Sequence, residues 1–173
     1  MRALALFLAG AAPAAAQIDA SPEAVILSYG IYCSEGGTFV PDPRSSAGFV
    51  VEGRTVEHRA TTLTVPARLG LTFGFEFELP GGLPPGGALR TQHPPFEEGG
   101  STANTYPIAA ELLPGHRDDW WYTFDLPFEQ VTGEWVLRID GPDGEPIVSA
   151  TFEVVPDGPA FDALGECGEA LVS

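Results

Sequence analysis

The stretch Gly133–Val155, GEWVLRIDGPDGEPIVSATFEVV, constrains the fold more than any other part of the chain. Trp135, Leu137 and Ile139 put large apolar side chains on alternate positions while Glu134, Arg138 and Asp140 take the other face, which is the period of a half-buried strand. Val148, Ala150, Phe152 and Val154 repeat the pattern, with Ser149, Thr151 and Glu153 outward. Between the two runs stands Gly141-Pro142-Asp143-Gly144, where proline presets φ at the second turn position and glycine suits the fourth. The spacing predicts an antiparallel hairpin with one apolar and one wet face. A lone hairpin cannot keep such a face from water, so the rest of the chain must supply an opposing sheet.

Other runs fit that requirement. Leu71, Phe73, Phe75, Phe77 and Leu79 share one face of a second strand, and this aromatic ladder reads as core. Gly74 has the opposite parity, and with no side chain there another backbone can approach. Trp120, Tyr122, Phe124 and Leu126 make a third inward face, with Trp121, Thr123 and Asp125 outward. Val25 to Cys33 alternates with both faces fairly apolar, which places it inside a sandwich or across its edge. Phe49 to Glu52 and Arg54 to His58 read as one short strand with a bulge at Gly53, and Thr61 to Val65 as a strand stopped by Pro66. Ala88 to His93 is a further strand, and Pro107 demotes Thr105 to Leu113 to an edge at best. Pro41 to Ser46, Pro80 to Gly87 and Glu97 to Ser101 are expected to be loops, and Asp162-Ala163-Leu164 a turn of helix. About seven short strands without an amphipathic helix predict an all-β, antiparallel β-sandwich.

The first residues stand apart from this fold. Arg2 precedes an apolar run from Ala3 to Ala12, then Pro13-Ala14-Ala15-Ala16, and this order reads as a signal peptide over 1–16, cut before Gln17. The run is shorter than the about 20 apolar residues a membrane span needs, and no later segment is longer. The expectation is a single domain over 17–173, periplasmic or secreted, with no membrane anchor after cleavage. Cys33 and Cys167, near opposite ends, are expected to pair in an oxidising compartment and close nearly the whole domain; the alternative is two unrelated buried thiols. The formal net charge is −16 and every basic residue is arginine. Such a surface repels phosphate backbones and anionic lipid heads, which disfavours nucleic acid, and attracts cations or a basic partner.

The order of strands and the closing Gly133-Glu134-Trp135 through Phe152-Glu153-Val154-Val155 resemble the last hairpin of bacterial immunoglobulin-like domains. With Tyr29-Gly30-Ile31-Tyr32, Phe73-Gly74-Phe75, His93-Pro94-Pro95 and Asp119-Trp120, the chain is more narrowly similar to an uncharacterised bacterial exported family, a domain of unknown function, over most of its length after Ala16. The resemblance implies an immunoglobulin-like fold and carries no catalytic assignment.

Four residues invite a metal-site reading. His93 ends a strand and His116 precedes Asp118 and Asp119 in an expected loop, so loops meeting at one end of a sandwich could gather them around a divalent ion. The plainer reading is two ordinary loop histidines. Asp140, Asp143 and Glu145 suggest calcium, or merely a polar turn. Neither an HExxH nor a GxSxG motif is present, and no cofactor is expected. Trp121 faces away from Trp120 and Tyr122; it is either packed under a loop or, exposed beside Tyr106 or Phe128, an anchor for a protein or glycan partner. The resulting expectation is a non-catalytic binding or structural module. An inhibitor or chaperone-like module acting by strand or loop addition, which needs a long unprotected edge, is the alternative; a periplasmic metal protein or enzyme using the His and Asp residues is another.

Overall fold

The computed structural model describes residues 16–96, 100–165 and 167. The expected signal segment, Ala16 excepted, lies outside these residues, as do Glu97 to Gly99 of one expected loop. In chain order the strands are β1 (Gln17–Ala20), β2 (Val25–Glu35), β3 (Thr38–Pro41), β4 (Phe49–Glu52), β5 (Thr55–Ala60), β6 (Thr64–Pro66), β7 (Leu71–Leu79), β8 (Ala88–Gln92), β9 (Ala103–Pro107), β10 (His116–Thr123), β11 (Gly133–Asp140) and β12 (Pro146–Val155). Short 3-10 turns occupy Pro127–Glu129 and Pro159–Leu164.

The closing hairpin forms as its alternation requires. Trp135, Leu137 and Ile139 stand opposite Phe152, Ala150 and Val148, all buried, and the Gly144 N–H donates to the Gly141 carbonyl at 3.0 Å to close the turn. β11 and β12 lie inside one sheet, in the order β1-β12-β11-β8-β9. β6 also pairs with β12, in parallel, an exception to the expected all-antiparallel sheet. The facing sheet runs β10-β7-β2-β5, with the Phe73, Phe75 and Phe77 ladder pressed onto the first sheet. Trp135 sits at the centre, meeting Phe73 edge-on at 5.6 Å and Tyr122 at 4.6 Å. The protein is therefore a two-layered β-sandwich.

Three local expectations are corrected. Gly53 is not a bulge within one strand; with φ of +73° it is the corner where the chain leaves β4 and enters β5 in a different sheet. β3 went unread because it is four residues long and ends in a proline, yet it pairs with β4 as a separate two-stranded hairpin, held by Phe39 against Phe49 at 4.7 Å. His116 to Asp119 are not loop residues; they continue β10, paired with Leu79 to Glu76 of β7.

Cys33, at the end of β2, forms a disulfide with Cys167 beyond the last 3-10 turn. Arg68 holds the same tail, donating to Asp157 at 2.9 Å and to the Gly165 carbonyl at 2.9 Å. No helix among the described residues is long and apolar enough to cross a membrane.

Candidate functional site

On one side of the sandwich β9, an edge of the first sheet, lies beside β10, an edge of the second, with Tyr106 against Trp120 at 5.5 Å, and this is the seam. The β3–β4 hairpin hangs over this seam and encloses a cleft of about 470 Å³, within the size range of ligand pockets. One wall is Phe49, Val50 and Val51 of β4; the other is the unbroken run Asp118 to Thr123 of β10, with Tyr106 between. A strand that presents a face to a cavity lines it with every second residue. Unbroken runs on both walls mean that the strand edges, with their backbone N–H and C=O groups, face the cleft. β4 pairs only with β3 and β10 only with β7 among the described residues.

Trp120 and Trp121 diverge as strand parity requires. The Trp120 indole turns inward, donates to the Arg90 carbonyl at 2.9 Å and meets Tyr106 edge-on at 5.5 Å. Trp121 lies on the outer face over Gly74, against the Tyr32 ring at 5.5 Å. A Cβ at Gly74 would run into the Trp120 carbonyl and the Trp121 ring, so the absence of a side chain there makes room for the Trp121 ring. Trp121 is consequently half-buried, neither sealed under a loop nor fully exposed. Its indole nitrogen is buried without a hydrogen-bond partner, and Tyr32 is pushed up to about 12, chiefly by burial.

Acidic groups line the same cleft. Glu129 is buried, accepting from the Tyr122 hydroxyl at 2.7 Å and from the Leu126 N–H at 2.6 Å. Burial raises its carboxyl to about 7 and drives the Tyr122 hydroxyl well above its ordinary value. Asp119 rises to about 6, first through burial and then through its acidic neighbours Asp118 and Glu76. Asp125 is paired with Arg54, yet its burial outweighs that pairing and its carboxyl is raised.

The structure brings together Trp121 and Tyr106 on this cleft, whereas Phe128 packs away from it against Phe96 at 5.5 Å. The four candidate metal ligands do not converge. His93 is buried between Trp135 and Phe96, stacked at 4.7 and 4.2 Å, and its ring bonds the Ser46 hydroxyl and the Pro94 carbonyl, each at 2.7 Å. It pins the loop entering β4, and burial lowers its pKa. His116 pairs with Asp118 at 3.3 Å on β10, while Asp119 points to the other face of that strand. No cluster of three or more His, Cys, Asp or Glu side chains with metal-binding geometry occurs among the described residues. The suspected calcium turn is likewise occupied from within, because Arg90 and Arg138 both take the buried Asp140 carboxylate.

Sequence reasoning missed Glu129, Arg54 and Asp125. Glu129 had a local signal, standing three residues after Leu126 where an acid caps a helical turn. Arg54 and Asp125 are 71 residues apart and had none.

Comparison with known proteins bears on the whole of this architecture. The family described as a domain of unknown function, DUF3859, matches residues 20–154. The chain belongs to this family. A solved structure, an immunoglobulin-like protein from Pseudomonas aeruginosa, aligns with this DUF3859 chain at a TM-score of 0.51 and 23% identity, covering 81% of this chain and 98% of that one. That likeness establishes the shared fold. Among curated proteins, none matches. The family's matched region includes both cleft walls, β4 and β10.

Proposed function

We propose that this chain is an exported module that acts by binding and that the cleft beneath the β3–β4 hairpin is where it takes hold of a protein partner. The observation carrying this reading is the lining of one cleft by two free strand edges, the geometry used when a partner adds a strand. Export is supported by the reading of residues 1–16 and by the Cys33–Cys167 disulfide, a bond that persists in oxidising compartments. A catalytic reading has less support. Ser46, bonded to His93, is not among the cleft-lining residues although its neighbours Ser45 and Ala47 are.

Selection of a displayed library of short linear peptides on the purified protein, followed by amide hydrogen exchange of the complexes, tests the reading. Bound peptides should slow exchange in β4 and β10. Binders that protect another face, or no binders at all, overturn it.

A further inference from the structure

We propose that the cleft takes an extended peptide carrying a lysine or arginine, its backbone completing the free edges of β4 and β10 and its cation lying between Asp119 and the Trp121 ring. This rests on the binding reading above and adds the chemistry of the partner.

The edges of the sandwich are guarded unequally. Natural sheets protect edges by shortness, proline, or charge. β1 and β4 are four residues long, β6 and β9 end in Pro66 and Pro107, and β5 carries exposed Glu57, His58 and Arg59, so β10 is the main edge left open and β4 adds only a short one. β10 is eight residues long, and its second half, Trp120 to Thr123, carries no charge and lies inside the cleft. Apart from the β7 ladder, the one backbone hydrogen bond to Arg117–Thr123 among the described residues is from the Asp119 N–H to the Asp118 side chain. A strand laid along this edge would satisfy backbone groups that the fold leaves to water.

The charge in the cleft selects the occupant. Asp119 is half-buried, lies beside Asp118 and Glu76, and has no ion-pair partner among the described residues. Of the nearby arginines, Arg54 lines the cleft too but is neutralised there by Asp125, and Arg117 pairs with Glu78. A carboxylate removed from water among like charges gains most from an incoming cation. Trp121 stands two residues further along the same face and offers a ring to that cation. With a formal charge of −16 and no lysine, the chain steers cationic segments in and acidic ones away.

The test uses the selected peptides and the full chain. Basic residues should be enriched at one position; replacing that residue by methionine should weaken binding tenfold or more, and added salt should erase the difference. D119N, checked for a melting temperature no lower than the native chain's, should remove the preference for the basic peptide while the methionine peptide still protects β4 and β10. Peptides that protect β4 and β10 but show no basic preference, or a preference unaffected by D119N, overturn this inference and leave the binding reading standing. Absence of protection in the cleft overturns both.

Discussion

Replacing Glu129 by glutamine should abolish a pH dependence of stability that the buried carboxyl creates. In the folded chain Glu129 titrates at about 7 against an ordinary 4.5, so between those values the unfolded chain releases a proton that the folded chain retains. The stability due to the neutral carboxyl is fully present below pH 4.5 and is lost as pH rises to 7. At about 1.4 kcal/mol per unit, the loss is on the order of 3 kcal/mol, or roughly 6–12 °C in melting temperature for a chain of this size. Glutamine keeps both contacts: its carbonyl accepts from the Leu126 N–H, and its amide donates to the Tyr122 oxygen. E129Q and the native chain should therefore be similarly stable near pH 4.5 and diverge above it, with E129Q the more stable at pH 8. His93 acts in the opposite sense, because burial lowers its pKa; its contribution is present above its ordinary value of 6.5 and is lost as pH falls. That contribution is common to both proteins and cancels in their difference. The assay is urea unfolding of both from pH 4.5 to 8, and curves that run parallel across that range would refute the reasoning.

Three further outcomes follow from the same structure. Replacing Cys33 and Cys167 by serine opens a loop of 134 residues, for which chain entropy sets a loss of up to about 5 kcal/mol; a thermal melt unchanged from the oxidised native protein would contradict it. Gly74→Ala drives a methyl group into the Trp120 carbonyl and the Trp121 ring, so the urea midpoint should fall by the equivalent of about 2–3 kcal/mol and Trp121 fluorescence should change. Export should release a chain whose first residue is Gln17, the first residue of β1, as read by intact mass; a secreted form retaining residues 1–16 would count against the processing proposed here.

Strands that bury one face were legible because burial repeats every second residue. The Phe73, Phe75, Phe77 ladder and the Trp135 to Val154 hairpin needed nothing more. The first half of β10 was not legible: His116, Arg117, Asp118 and Asp119 are all polar, so their pairing with Leu79 to Glu76 leaves no alternation to read. β3 suffered from shortness; β4 was legible as Phe49 to Glu52 but was joined to β5, because a glycine between two short runs suits a bulge as well as a corner. Trp121 drew attention as an aromatic out of phase with the core, with Tyr106 or Phe128 as its expected neighbours; Trp121 and Tyr106 line the cleft, whereas Phe128 packs into the sandwich beside Phe96.

Alternation, turn residues and thiol count thus determined an all-β sandwich with paired ends, since each depends on neighbours along the chain or on the compartment. The cleft depended on distances that no local pattern encodes. The chain switches sheets at Gly53, His93 reaches Ser46 across 47 residues, and β9 and β10 leave a seam under a hairpin that belongs to neither main sheet. Those contacts also decide the chemistry: burial, which exists only once the layers close, is what raises Glu129 and Asp119, carboxyls indistinguishable in sequence from the many other acids of this chain.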